Sequence, residues 1–215
     1  MQTYRPQPID VTKILSRREL AAVLNDLKRK APRSKNTRMN LVLFRLACCC
    51  GLRVSEIAKL QVGDVRTELA RPHIRIRRGA SKGGRPRVVP LWWDAGTLED
   101  LAAWKADRLR SGAEFNEPFL ASLIPGRDVK PFSRHTLRKR FRTACKVLGT
   151  ARLEGLTIHH GRHTFISHAL AGGRTLAEVR DAAGHANVSI TSGYLHAVVD
   201  DEPAVGNLFC GRTPV

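Results

Sequence analysis

The sequence is divided into short segments in which apolar residues recur at helical spacing, each bounded by a capping residue or a glycine. The first segment opens with the capping box Ser16-Arg17-Arg18-Glu19, and one face of it carries Leu20, Val23, Leu24 and Leu27. The same spacing predicts further helices over residues 38–50, 55–60, 97–110, 133–148, 160–171, 175–183 and 189–198. Because each such segment has one apolar face to bury, we expect a mainly helical domain.

The helical period is interrupted by a pair of extended runs. Residues 73–77 alternate apolar and basic side chains, and residues 87–91 form a second extended run. Between them a glycine-rich stretch surrounds Lys82, which predicts a flexible turn with a lysine at its tip. The expected fold class is therefore mainly α with a small antiparallel β-sheet (α+β).

The length suits one large domain or two small ones. The chain has 215 residues, of which 42% are hydrophobic, enough for a core. We predict that the domain spans residues 13–198, between an N-terminal tail over 1–12 and a C-terminal tail over 199–215. Charges interrupt every apolar run, so the sequence predicts no transmembrane helix. The first ten residues also lack the apolar stretch of a signal peptide. The five cysteines include three adjacent ones and read as reduced thiols, which predicts a cytoplasmic protein.

The charge balance points to a polyanionic partner. The chain contains 37 Lys and Arg against 19 Asp and Glu, which gives a formal net charge of +18. Nucleic acid is the first candidate, because phosphate contacts by Lys and Arg release counterions and dominate affinity. The alternative is a basic protein with no such partner.

Several polar residues have an ordinary structural interpretation when each is taken alone. Arg53, with Glu56 three residues further on, would be a surface ion pair, and Tyr194 would be an amphipathic residue at the edge of the core. His159 and His163 have the spacing of a helical metal pair. However, no His-Glu-x-x-His motif and no acidic third ligand accompany them, so the sequence disfavours a zinc site.

Together these residues form an ordered pattern. Gly51-Leu52-Arg53-x-x-Glu56-Ile57-x-x-Leu60 is followed by Lys82, by His159-x-x-Arg162-His163-Thr164-Phe165, and by Gly184-His185 with Tyr194 nine positions further on. From about residue 13 to residue 198 the chain resembles the tyrosine recombinases, the phage integrase family. The resemblance implies a catalytic set made of Arg53, Lys82, His159, Arg162, His185 and Tyr194, with Glu56 supporting the first arginine.

The sequence departs from the family pattern at two places. Gly161 precedes Arg162 and Ala183 precedes Gly184, where the family usually has leucine. We expect both departures to loosen the local packing and to leave the chemistry intact.

The roles that the resemblance implies agree with the chemistry of these side chains. Two guanidinium groups, from Arg53 and Arg162, suit the charge that develops on a phosphodiester under attack, and His185 adds a donor. Tyr194 would attack phosphorus to give a 3′-phosphotyrosine and a free 5′-hydroxyl, with His159 as the base and Lys82 as the acid for the leaving oxygen. Because the phosphotyrosine keeps the energy of the bond, no metal, ATP or other cofactor is expected.

The expected partner is double-stranded DNA with inverted half-sites. We expect a homotetramer on synapsed DNA, with accessory DNA-bending proteins possible, no membrane, and a nucleoid-associated location. Two groups of arginines, one on the hairpin and one on the 133–148 helix, are candidates for DNA contacts: Arg75, Arg77, Arg85, Arg87, Arg134, Arg138 and Arg142.

Alternatives of other classes remain open at this point. A type IB topoisomerase uses the same tyrosine chemistry without exchanging partners, and a catalytically idle DNA-binding regulator would keep only the basic surface. The length is similar to that of the family's short invertases, which are stand-alone catalytic domains. A fragment of a longer integrase is the other explanation.

Overall fold

The computed structural model describes residues 10–80, 85–122 and 129–195. Both predicted tails, apart from residues 10–12, and Lys82 at the hairpin tip lie outside these residues. The described α-helices are α1 Arg17–Lys30, α2 Lys35–Phe44, α3 Val54–Lys59, α4 Ala95–Arg110, α5 Arg134–Ala144, α6 Thr150–Gly155, α7 Ile158–Ala171, α8 Leu176–Ala183 and α9 Val188–Ser192. Short 3₁₀ turns cover Val11–Lys13, Ala31–Arg33, Val62–Asp64 and Lys146–Leu148. Within these residues, no helix is both long and apolar enough to cross a membrane.

A small antiparallel sheet lies beside the helices. It contains β1 Val65–Arg66, β2 His73–Ile76 and β3 Arg87–Pro90, in the order β1-β2-β3. Ile74 pairs with Val65 on one side and Val89 on the other, and all three side chains are buried. The mainly α fold with a small antiparallel sheet is thus confirmed.

The other helices pack around α2, which is buried along most of its length. Its continuation, Arg45–Cys49, widens into a π-helical turn whose five residues are all buried. Helix α7 crosses this turn so closely that a Cβ added to Gly161 would lie 2.9 Å from the carbonyl carbon and oxygen of Ala47. The expectation of loose packing at Gly161 was therefore wrong, because the backbone of Ala47 fills the space that a side chain would need.

Some boundaries differ from the predicted ones for local reasons. The predicted 38–50 helix begins at Lys35, where Ser34 caps it, and changes to the π-helical turn at Arg45. The predicted 133–148 helix ends at Ala144 and continues as a 3₁₀ turn. Strand β1 and helix α6 were not predicted. The first has two residues, and the second buries none of its side chains, so neither has a periodic signal.

Candidate active site

A glycine turn positions Arg53. Gly51 follows the π-helical turn with a φ of +63°, and a Cβ there would lie 2.4 Å from Cδ1 of Phe165. Both the left-handed backbone and the contact with Phe165 require glycine. The chain then reverses, and Arg53 becomes the N-terminal capping residue of α3.

The carboxylate of Glu56 fixes the position of Arg53 through two hydrogen bonds. It accepts hydrogen bonds from the Arg53 backbone N–H at 2.8 Å and from Arg53 Nη1 at 3.0 Å. Arg87 donates two more, from Nη1 at 2.7 Å and Nη2 at 2.8 Å. Burial alone would raise the pKa of Glu56, but the hydrogen bonds and charge of Arg87, followed by those of Arg53, hold that pKa below its usual value. A surface ion pair is thus the wrong interpretation of Arg53 and Glu56, since the Glu56 side chain is 0% exposed.

Arg162 lies on α7 and points into the same cluster. Its side chain is buried, Nη1 donates to the Gly51 carbonyl at 2.9 Å, and Nη2 donates to the carbonyl of Ala183. Burial and the nearby charges of Arg53 and Arg87 lower the pKa of Arg162 to about 9. Burial is the largest cause of the shift, and the neighbouring positive charges, which an anion placed between these groups would neutralise, add to it.

The three arginines share the C-terminal end of α8. Arg87 Nε donates to the Ala182 carbonyl at 2.9 Å, Arg162 donates to that of Ala183, and Arg53 Nη2 donates to that of Gly184 at 3.4 Å. The last carbonyls of a helix have no partner within the helix and carry its partial negative charge. Three successive orphan acceptors therefore hold three guanidinium groups in one cluster.

His185 enters this cluster because α8 ends abruptly. Gly184 adopts a left-handed φ of +68°, and a Cβ there would lie 2.6 Å from Cδ of Arg87. His185 follows, and its Nδ1 is 2.9 Å from Oγ1 of Thr191. Burial and the charges of Arg162, Arg53 and Arg87 lower the pKa of His185 to about 3, so the ring is neutral near pH 7.

Tyr194 lies just beyond α9 and is buried against two histidines. Its hydroxyl is 2.6 Å from Nδ1 of His163, and its ring stacks on those of His163 and His185 with centroids 5.7 and 6.5 Å apart. Burial raises the pKa of Tyr194 to about 12, with Arg162 opposing the shift. The phenol is therefore protonated at rest, and its proton has an immediate acceptor.

His159 lies one helical turn before His163 and is exposed. Its ring contacts that of His163 edge-on, with centroids 4.9 Å apart. It lines an open cavity of about 480 Å³ together with Arg53, Arg138 and Arg142. The lining also includes the apolar residues Leu52 and Ile158. Burial, Arg162 and Arg53 lower the pKa of His159.

The candidate DNA-contacting arginines divide into two groups. Arg134, Arg138 and Arg142 are exposed on α5, and Arg85 is exposed ahead of β3. Arg75 and Arg77 contact Asp64, with Arg77 Nε donating to its carboxylate at 2.9 Å.

Arg87 does not belong with them. Its side chain is 7% exposed and its guanidinium is engaged by Glu56 and the Ala182 carbonyl. It therefore lies inside the cluster, whereas the other candidate arginines are exposed or bonded at the surface, and three of its five N–H donors are already engaged.

The structure thus brings together Arg53, Glu56, Arg162, His185 and Tyr194. Within the residues described, no three His, Cys, Asp or Glu side chains are grouped in a way that could hold a metal ion. Such a cluster can bind a phosphate between guanidinium groups beside a nucleophilic phenol.

Two residues of the cluster were given no catalytic role from the sequence, Arg87 and His163. For His163 a signal existed, because it adjoins Arg162 and lies one turn after His159 on the same helix. For Arg87 the partner, Glu56, is 31 residues away, and nothing local indicates the pairing.

Comparisons with known proteins agree with this geometry. The sequence model that describes the phage integrase family matches residues 13–200. Over 170 residues the chain is 34% identical to a tyrosine recombinase of Pseudothermotoga lettingae, which covers 78% of this chain and 52% of the relative. Over 192 residues it is 32% identical to tyrosine recombinase XerC of Chromohalobacter salexigens, which covers 89% of this chain and 56% of that protein. The chain thus spans about half the length of these curated relatives.

Solved structures share the fold. The crystal structure of XerA recombinase matches with a TM-score of 0.65 and 24% identity, over 94% of this chain and 63% of that one. XerH site-specific recombinase bound to difH substrate, in a pre-cleavage complex, matches with a TM-score of 0.66 and 24% identity, over 86% of this chain and 50% of that one. A lambda integrase dimer bound to a core site matches with a TM-score of 0.59 and 17% identity, over 95% of this chain and 64% of that chain.

Proposed function

Because this chain belongs to the phage integrase family of tyrosine recombinases, we propose that it is a site-specific DNA recombinase that cleaves and rejoins strands through a 3′-phosphotyrosine. The observation that carries the proposal is the position of Tyr194, whose phenol is buried beside Arg162 and His185. A nucleophile of this kind needs a phosphate held in front of it, and the surrounding guanidinium groups supply that environment.

Arg53 and Arg162 bind the scissile phosphate. Each already donates to a backbone carbonyl of the α8 end, and the donors left over on the two planar forks suit nonbridging phosphate oxygens. Since Glu56 and the helix end fix both side chains before substrate arrives, little reorganisation is needed when charge develops in the transition state. His185, neutral and hydrogen-bonded to Thr191, keeps its other ring nitrogen for a phosphate oxygen.

The leaving 5′-oxygen needs a proton, and Lys82 is the proposed donor. It lies outside the described residues, at the turn between β2 and β3. Rejoining reverses the attack with the 5′-hydroxyl of another strand, so bond energy is conserved and neither ATP nor a metal ion is required.

The partner is double-stranded DNA with inverted half-sites, bound along α5 and the hairpin. Arg138 and Arg142 line the cavity that opens beside Arg53 and His159, so a phosphate backbone that follows α5 leads into the catalytic cluster. A homotetramer on synapsed DNA, with accessory bending proteins at some sites, is the proposed assembly, and the nucleoid the proposed location.

A suicide DNA substrate tests the function. A nick placed just downstream of the cleavage position lets the short fragment that carries the free 5′-hydroxyl diffuse away, so the covalent protein–DNA adduct accumulates. Peptide mapping is expected to place the adduct on Tyr194. Strand exchange between two labelled sites supports a recombinase, whereas plasmid relaxation without exchange supports the topoisomerase alternative. Binding without any adduct supports an idle regulator and contradicts the proposal.

A further inference from the structure

The Tyr194 hydroxyl has one well-defined neighbour for its proton. Nδ1 of His163 lies 2.6 Å away, a short hydrogen bond for this pair of groups. The two rings are nearly parallel, with an interplanar angle of 27°. His185, the other ring stacked on Tyr194, directs its Nδ1 to Thr191 instead.

His159, the residue that the family resemblance implies as base, occupies a different environment. Its ring contacts that of His163 edge-on, and it is exposed toward the cavity that Arg138 and Arg142 line. That position suits a contact with the phosphate backbone of bound DNA.

We propose that His163, rather than His159, is the catalytic base that accepts the proton of Tyr194 through Nδ1. In this step the phenolic O–H bond breaks and the proton moves to Nδ1, giving an imidazolium. The oxygen lone pair forms the new bond to phosphorus, and the bond from phosphorus to the 5′-oxygen breaks as that oxygen takes a proton from the acid. On rejoining, the 5′-hydroxyl attacks phosphorus and gives its proton back to the deprotonated acid, the bond from phosphorus to the Tyr194 oxygen breaks, and the imidazolium returns its proton to that oxygen. The inference rests on the proposed function.

The charged groups around His163 explain how its basicity depends on substrate. Its charged and titratable neighbours are His159, His160 and Arg162 on its own helix, Lys13 in the 3₁₀ turn Val11–Lys13, and Tyr194 and His185 from the segments after α8. Burial and the first four of these neighbours lower the pKa of His163 to about 4, so the ring is neutral and able to accept a proton near pH 7.

Bound DNA changes this balance. A phosphate held by Arg162 adds negative charge beside the ring and opposes the cationic neighbours that lower the pKa of His163. His163 is thus a poor base in the free protein and a better base when the scissile phosphate is in place. We therefore expect DNA binding to favour the activation of Tyr194.

The rate of adduct formation on a suicide substrate, measured in single turnover from about pH 6 to pH 9, tests the inference. A His163→Gln variant keeps a polar side chain of similar size. We expect its rate to fall by about 10²-fold or more near pH 7, and then to rise about tenfold per pH unit as hydroxide replaces the base. Wild type should not show that slope. His159→Gln should keep the wild-type shape of the profile at whatever rate it retains.

Chemical rescue gives a second readout. Added imidazole should restore adduct formation by a His163→Gly variant, and it should not restore adduct formation by a His159→Gly variant. The matched control is His160→Gln, because residue 160 is the third position of α7, where glutamine also completes a capping box with Thr157. Its pH profile should keep the wild-type shape because His163 is still present, with a small shift since His160 contributes to lowering the pKa of His163.

A His163→Gln profile parallel to that of wild type, or rescue by imidazole at residue 159 instead, overturns the inference. Failure of the proposed function is distinguishable, because wild type itself then forms no adduct on Tyr194. DNA binding and thermal unfolding of each variant, measured in parallel, identify a loss caused by misfolding.

Discussion

Arg87 and Glu56 form a bidentate ion pair that is closed off from solvent. The two N–O distances are 2.7 and 2.8 Å, and the side chains are 7% and 0% exposed. Since the same carboxylate also accepts hydrogen bonds from Arg53, Arg87 helps to fix the position of the residue that we propose binds the scissile phosphate.

We therefore expect Arg87→Ala to destabilise the protein strongly. Removing one partner leaves the Glu56 carboxylate buried and underpaired, which costs about 3–5 kcal/mol in the free energy of unfolding. Urea titration followed by circular dichroism measures the loss. Arg85→Ala, an exposed arginine two positions earlier, is the matched control and should change the free energy of unfolding by less than about 0.5 kcal/mol. Equal effects of the two substitutions would contradict the structural role of Arg87.

Tyr194→Phe should abolish the covalent adduct and leave DNA binding nearly intact. The change removes only the hydroxyl that contacts His163, while the ring still packs and the basic surface is untouched. A suicide-substrate assay on a denaturing gel measures the adduct, and a gel shift measures binding. An adduct that persists in the Phe variant, or one mapped to Tyr4, would contradict the assignment.

Stability should fall as the solution becomes acidic. The folded protein lowers the pKa of His163 to about 4 and that of His185 to about 3, from the usual histidine value of 6.5. The unfolded chain therefore binds more protons over this range, so the stabilisation is complete above about pH 6.5 and is lost as the pH falls through about 4 and 3. Urea midpoints at a series of pH values measure this.

The pH effect has a specific control. His163→Gln should flatten the dependence of stability on pH, whereas His135→Gln, on the exposed face of α5, should reproduce the wild-type curve. A wild-type curve that is flat between about pH 7 and pH 4 argues against the buried, neutral histidines.

Arg138→Ala and Arg142→Ala should each weaken DNA binding at every sequence tested. Each side chain is exposed on α5 and lines the cavity beside Arg53. Loss of one phosphate contact removes about 0.9 from the slope of log affinity against log salt. Fluorescence anisotropy at several salt concentrations measures that slope. Arg29→Ala, on the exposed face of α1, serves as the control and should leave the slope unchanged. Slopes that do not change in either α5 variant would remove α5 from the DNA-binding surface.

Cleavage should proceed at the same rate in EDTA. In the proposed mechanism the guanidinium groups of Arg53 and Arg162 stabilise the charge that develops on phosphate, the task that Mg²⁺ performs in many phosphoryl-transfer enzymes. Single-turnover adduct formation with and without chelator measures the effect. Activity that is lost in EDTA and recovered on adding Mg²⁺ or Zn²⁺ would contradict the mechanism.

The sequence predicts the helices well where an apolar face repeats and a cap or glycine marks its end. Helix α8 shows this, because the capping box from Thr175 to Glu178 and the left-handed Gly184 are both local signals. The π-helical turn at Arg45–Cys49 has no such signal. The structure shows this widened turn, and α7 packs so closely against it that Gly161 lies next to the backbone of Ala47.

The site is harder to predict because its pairings are long-range. Arg87 is the first residue of β3 and one of several arginines in the hairpin region, and its burial follows from the packing of β3 against the end of α8. Likewise, the choice between His159 and His163 as the neighbour of Tyr194 depends on how the segment after α9 lies against α7. No spacing within α7 determines it.

The end of α8 has a consequence for how mutations combine. Because Arg53, Arg87 and Arg162 donate to three consecutive carbonyls of one helix end, displacing that end changes the surroundings of all three at once. Substitutions in this group share partners, so their free-energy effects should not add. Double-mutant cycles between any two of the three arginines should give coupling energies of about 0.5–3 kcal/mol, whereas pairs with a distant residue such as Arg29 should be additive.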